Sequence, residues 1–141
     1  MKLTDLGEPI PWKPVEYDEN GRTKWGWMVQ HREHFVCGAN VDIGAFTYIN
    51  ARYWVFLEDD VQIGSHCSIY SHSTIDNKKG EVNIEHGACV GAHSVIMPGV
   101  RIGAGAIVAA CSFVNKDIPP GGLWGGVPAR QIGVQRGTGD D

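Results

Sequence analysis

From Cys37 onward the chain places an aliphatic residue at every sixth position. The series runs Cys37, Ile43, Ile49, then Leu57, Ile63, Ile69, Ile75, then Ile84, Val90, Ile96, Ile102, Val108 and Val114. Only Cys37 among these is not aliphatic, so the period belongs to the chain and not to one short motif. Two slips interrupt it: two extra residues between Ile49 and Leu57, and three between Ile75 and Ile84. A period of six is neither the 3.6 of an α-helix nor the 2 of a simple strand. It describes one short strand and one tight turn, repeated. Three such units close a triangular coil whose aliphatic residues point inward and stack on those of the next coil, giving a solenoid.

The flanking positions fit that reading. The residue after the aliphatic is often Gly, Ala, Asp or Glu, as at Gly38, Gly44, Glu58, Gly64, Asp76, Glu85, Gly91, Gly103 and Ala109. The fourth residue after it is small or β-branched, as at Thr47, Val61, Cys67, Ser73, Ala88, Ser94, Ala106 and Ser112. The predicted fold is therefore all-β, a parallel β-helix over residues 37–120. Residues 1–36 lack the period and hold Pro9, Pro11, Pro14, Trp12, Trp25 and Trp27. Within them, Glu16 to Trp25 reads as a hairpin around a type I′ turn at Asn20-Gly21. A solenoid end exposes unpaired edges and apolar core, so this segment is expected to be a cap, with a share in ligand binding as a second role. Residues 121–141 form a C-terminal segment whose tail, Gly133 to Asp141, is polar, Gly-rich and expected to be mobile.

Composition narrows the function. Hydrophobic residues make up 43% and charged residues 20%, an ordinary globular balance. The net charge of −4 and the lack of a basic block argue against nucleic-acid binding. The N-terminus, Met1-Lys2-Leu3-Thr4-Asp5, puts an acidic residue where a secretion signal needs apolar ones. No apolar run approaches the roughly 20 residues of a membrane span, and the expected location is cytoplasmic. Cys37, Cys67, Cys89 and Cys111 show no close pairing and read as reduced thiols.

Stacking arithmetic then sorts the surface. Arg52, His72, His93 and Cys111 are each the third residue after an aliphatic of the series, separated by eighteen residues plus the slips. They are expected to form one column, about 4.8 Å per step. The loop from Asp76 to Glu81, with Lys78-Lys79-Gly80, should emerge beside His72. A histidine there suits general-base chemistry, because imidazole titrates in the right range. His93 would orient His72 or replace it. His66 and His86 fall outside the column and are expected to be structural. The plain alternative is that His72 and His93 are hydrogen-bonded surface histidines.

The period as a whole, from about Cys37 to Gly133, resembles the hexapeptide-repeat acyltransferases. The stretch Val90-Gly91-Ala92-His93-Ser94-Val95-Ile96-Met97-Pro98-Gly99-Val100-Arg101-Ile102-Gly103 is similar to part of galactoside and other sugar acetyltransferases. So are Val114-Asn115-Lys116-Asp117-Ile118-Pro119-Pro120 and Gly126-Val127-Pro128-Ala129-Arg130. The resemblance implies a left-handed coil, against the usual right-handed crossover, and a homotrimer with CoA grooves between subunits. It implies acetyl-CoA as cosubstrate, no metal, and a sugar or amino-sugar acceptor, free or nucleotide-linked. By position it puts the Ala92 N–H at the thioester, Ala110 at the pantetheine arm, and Asn115, Lys116 and Arg130 near the nucleotide end. Cations there would bond the 3′-phosphate. Asn50 and Glu58 occupy places that resemble acceptor-binding positions, and Asp76 joins them from the loop. Galactoside acetyltransferases carry their catalytic histidine on a long excursion, typically before a proline. Here Ile69 to Asp76 reads as compact, with no such proline. The helical N-terminal segment of those enzymes is absent.

Three rivals share some of these features. A γ-type carbonic anhydrase has the same coil but needs three histidines around one zinc, at spacings this chain does not show. His31-x-x-His34-x-x-Cys37 could approach a metal, but no fourth ligand is evident. A non-catalytic trimeric β-helix binding protein is the rival from another class.

Overall fold

The computed structural model describes residues 13–134. The expectations for Pro9, Pro11 and Trp12, and for the tail beyond Val134, lie outside the described residues. Short strands, numbered β1 to β17 in chain order, stack into the three faces of a left-handed parallel β-helix. Face 1 holds β1 (Met28–Gln30), β4 (Tyr48–Asn50), β7 (Ser68–Tyr70), β12 (Val95–Ile96) and β15 (Phe113–Val114). Face 2 holds β2 (Phe35–Cys37), β5 (Val55–Leu57), β10 (Val82–Ile84) and β13 (Arg101–Ile102). Face 3 holds β3 (Asp42–Ile43), β6 (Gln62–Ile63), β11 (Cys89–Val90), β14 (Ile107–Val108) and β16 (Gly122–Gly125). β17 (Arg130–Val134) folds back antiparallel on β16. Outside the coil, β8 (His72–Ser73) and β9 (Lys78–Lys79) form a two-stranded antiparallel hairpin.

Each face buries one column of aliphatic side chains. On face 1 these are Val29, Ile49, Ile69, Ile96 and Val114, none more than 1% exposed. Leu57, Ile84, Ile102 and Ile118 line face 2, and Ile43, Ile63, Val90 and Val108 line face 3, all buried. Full burial of such a side chain stabilises by roughly 1.5–3 kcal/mol, and register is fixed because a one-residue slip would turn the column outward. The turn between faces 3 and 1 buries Thr47, Cys67, Ser94 and Ser112. Burial of these polar atoms is offset by bonds to neighbouring coils: the Thr47 hydroxyl donates to the Gly64 carbonyl at 2.8 Å and that of Ser94 to the Ala109 carbonyl at 3.2 Å. Coils approach closely at these turns. A Cβ on Gly64 would sit 2.6 Å from the Ala92 nitrogen, and one on Gly91 would sit 2.5 Å from the Ala110 nitrogen.

Three expectations need correction. Ile75 is not a core position; it is 99% exposed. The chain leaves the coil after Ile69 and returns at Val82, because Gly80 N–H bonds the Ser71 carbonyl at 3.0 Å and closes the intervening residues into a hairpin. The segment after Ile69 is therefore an excursion and not a compact turn. Next, the parallel ladder starts at Met28, which pairs with Tyr48, well before Cys37, and it extends to β16. Finally, Asn20-Gly21 is not a type I′ turn, since only Gly21 has positive φ, at 75°. The Asp18 carboxylate accepts from the N–H groups of Asn20 and Arg22 at 2.8 and 2.9 Å, favouring a turn closed by Gly21 N–H to the Asp18 carbonyl. Beyond it, Trp27 is buried, with Tyr17 at 5.9 Å and Phe35 at 6.3 Å between ring centroids, and Val15 packs on the same cluster.

Candidate active site

The three edges of the prism separate the residues singled out above. His72 follows β7 and lies where face 1 turns toward face 2, as do Asn50, Arg52, Asn115 and Lys116. Ala92, His93, Ala110 and Cys111 lie where face 3 turns into face 1. Arg130 starts the returning strand just beyond, beside Gly125. Glu58 lies at the remaining edge, between faces 2 and 3.

The expected column of Arg52, His72, His93 and Cys111 is thus broken in two. Counting Ile75 as a core position shifted every later residue by one face. The column that contains His93 is Phe46, His66, His93 and Cys111, all with φ between 57° and 65°. His66 and His93 stack with centroids 4.7 Å apart and planes 7° from parallel, and Phe46 lies 5.0 Å from His66. His66 is therefore part of that column, contrary to expectation. His93 does not touch His72 within one chain and cannot orient it there.

The edge between faces 1 and 2 carries the richer chemistry. Ser71 is fully buried; its hydroxyl donates to the Asn50 carbonyl at 2.8 Å and accepts from the Tyr53 N–H at 2.9 Å. That places Tyr53 beneath the excursion. The half-buried His72 ring meets Tyr53 edge-on, centroids 5.3 Å apart. Arg52 and Lys79 place their cations 5.5 and 5.7 Å from the centroid of the same Tyr53 ring. Lys79 comes into reach because its backbone pairs with that of His72 in the hairpin. The Asn50 amide oxygen accepts from the Arg52 N–H at 3.1 Å, and its nitrogen lies 3.4 Å from the Tyr48 hydroxyl. Asp76 sits exposed on the excursion, its carboxyl held below the ordinary range by the Ser73 side chain first and by Lys78, whose Nζ is 3.7 Å away. Lys79 was expected beside His72 as part of the loop, but Tyr53 and Ser71 were not singled out from sequence. Their signal was the two-residue slip after Ile49, which lets Arg52 and Tyr53 bulge under the excursion.

The edge between faces 3 and 1 is smooth. Gly91-Ala92 and Ala109-Ala110 present small side chains, and the Ala92 and Ala110 N–H groups donate to no group among the described residues. Asn115, Lys116 and Arg130 are all exposed. Arg130 lies toward this edge, whereas Asn115 and Lys116 lie at the far end of face 1, so one chain does not bring the three together. Glu58 accepts from the His86 N–H at 2.9 Å and is remote from His72 within the chain. Among the described residues no three His, Cys, Asp or Glu side chains converge as metal ligands. His31 faces Glu33 at 3.7 Å, and His34 Nδ1 donates to the Arg52 carbonyl at 2.9 Å.

The family model for the bacterial transferase hexapeptide (six repeats) matches residues 81–116. A UDP-3-O-acylglucosamine N-acyltransferase of Methylorubrum extorquens is 33% identical over 55% of this chain and 31% of its own length. The galactoside O-acetyltransferase of Escherichia coli is 32% identical over 79% of this chain and 61% of its own length. The chain therefore spans about a third to three-fifths of the length of these curated relatives. A hexapeptide-repeat acetyltransferase of Vibrio cholerae, solved with acetyl-CoA, superposes with a TM-score of 0.73 at 28% identity, covering 79% of this chain and 66% of that one. Repeat, coil and relatives agree: this chain is a left-handed parallel β-helix whose residues 81–116 match the bacterial transferase hexapeptide.

Proposed function

We propose that the protein transfers an acetyl group from acetyl-CoA to a hydroxyl or amine of a sugar-type acceptor, with His72 as general base. The observation that carries this reading is the position of His72: half-buried at the root of the only hairpin that leaves the coil among the described residues, and braced against Tyr53. The resemblance in sequence to galactoside O-acetyltransferase supports the acceptor class. The smooth edge fits acetyl-CoA, because pantetheine offers amides to free backbone N–H groups and small residues let it approach.

In this reading His72 takes the proton from the acceptor as its oxygen or nitrogen attacks the thioester carbonyl. The Ala92 N–H stabilises the oxyanion, a contribution of about 10²–10³-fold for a well-placed donor. Collapse expels CoA as thiolate, and the proton held by His72 passes to it. Within one chain His72 and Ala92 sit at opposite edges of face 1. The reading therefore includes a trimer in which the His72 edge of one subunit meets the Ala92–Ala110 edge of its neighbour. Asn50, Lys79 and Asp76 surround the acceptor, while Ala110 and Arg130 line the CoA edge, joined by Asn115 and Lys116 from the adjoining subunit. Glu58 is left with His86.

The test is free-thiol release from acetyl-CoA against a panel of sugars, amino sugars and nucleotide sugars. Release that depends on an acceptor supports the reading. Binding of acetyl-CoA with no turnover on any acceptor would contradict it and leave a non-catalytic binding protein.

A further inference from the structure

Two cations beside His72 have no carboxylate partner among the described residues. Arg52 and Lys79 lie within 6 Å of the centroid of one Tyr53 ring, at 5.5 and 5.7 Å, and neither makes an ion pair among the described residues. Arg101 bonds Glu85 at 2.7 Å and Lys78 meets Asp76 at 3.7 Å, but Arg52 and Lys79 instead converge on one ring beside His72. The ring face offers Arg52 and Lys79 only a weak quadrupole at a part-exposed site, and the two like charges oppose each other. The fold sets the backbone position of both. The Arg52 backbone N–H bonds Asn50, and the Lys79 backbone lies in register opposite His72. A bound anion between them would gain charge-assisted hydrogen bonds from both while an adjoining sugar ring stacks on Tyr53.

We infer that the acceptor carries a negative group, a carboxylate or a phosphate, next to the hydroxyl or amine that is acetylated, and that Arg52 and Lys79 receive it. This rests on the reading of His72 as the site of transfer, but it can be tested without turnover. The protein used is His72→Ala, with the hairpin otherwise intact. The probes are methyl glycosides of glucose, galactose and N-acetylglucosamine, each beside its uronate and its 6-phosphate, titrated calorimetrically at low and at high salt. The expected result is that at least one uronate or phosphate binds about tenfold or more tightly than its neutral counterpart. That preference should shrink at high salt, and Arg52→Gln or Lys79→Gln should reduce it with folding unchanged by circular dichroism. The uronate and phosphate arms distinguish the two sources of charge. Equal binding of neutral and charged members, no binding by any charged member, or a preference that survives both Gln substitutions would overturn the inference. A charge preference in His72→Ala, together with no acetyl transfer by the wild-type protein, would retain the anion site and refute the proposed transfer instead.

Discussion

The imidazoles of His66 and His93 lie 4.7 Å apart and 7° from parallel. Each is the third residue after a core aliphatic of face 3, Ile63 and Val90, which are register partners. That pairing fixes the phase of the whole coil, because it places 27 residues between equivalent positions where three hexads would give 18. The surplus is the excursion that displaces His72 to a different edge.

Core and excursion should therefore respond differently to the same substitution. Ile69 is fully buried and Ile75 is 99% exposed. Ile69→Ala should cost about 2–5 kcal/mol, and Ile75→Ala no more than about 0.5 kcal/mol, by urea unfolding at one fixed subunit concentration. Comparable losses at both positions would restore Ile75 to the core.

Much of this fold could be read from the period alone, since burial of one aliphatic per hexad is the same physical constraint in every coil. Where the reading failed, an exposed residue imitated the pattern. Ile75 falls in phase six residues after Ile69 yet belongs to a hairpin closed by Gly80 and Ser71. The first coil was missed for the opposite reason. Val29 to Cys37 repeats the eight-residue spacing of Ile49 to Leu57, but the 3₁₀ turn Arg32–His34 hides the strand that precedes it. At the candidate site, His72 was picked out by residue type and position, and Ala92 by the resemblance. Their separation was not legible, because it depends on which face each coil position occupies. Tyr53 and Ser71 became visible only through the bonds that tie Asn50 to the root of the excursion.

The N-terminal end should lose stability in alkali. Burial pushes the Cys37 thiol up to about 11 and the Tyr17 phenol up to about 12. Both groups are neutral when protonated, and the unfolded chain releases their protons at lower pH than the folded one. Stability is then full below about pH 9 and falls as pH rises through the folded values. For Cys37 the loss reaches roughly 2–3 kcal/mol; for the more exposed Tyr17, solvent screening reduces it to about 1 kcal/mol. Cys37→Ala and Tyr17→Phe should flatten the decline between pH 9 and 12 in denaturant titrations. An unchanged slope in the double variant would mean that these groups do not control it.

If the site joins two subunits, two inactive proteins should complement each other. His72→Ala retains its CoA edge, and Ala110→Trp blocks that edge while retaining His72. Mixed by unfolding and refolding together, they should regain about a quarter of wild-type activity, the share of interfaces with both halves intact in random trimers. Sedimentation should show trimers throughout. No recovery from verified mixed trimers would place the whole site within one subunit.

His93 lies beside Ala92 on the edge proposed for CoA, so His93→Ala should raise the KM for acetyl-CoA, with kcat falling less than for His72→Ala. A kcat loss larger than that of His72→Ala would assign the base to His93.

The central claim is that His72 removes the acceptor proton. The direct measurement compares kcat of wild type and His72→Ala by thiol release with an acceptor that turns over, alongside the Kd for acetyl-CoA by calorimetry. The account predicts a kcat lower by about 10²–10⁴-fold with the Kd unchanged. A kcat within about threefold of wild type, well short of the range for loss of a general base, would contradict it.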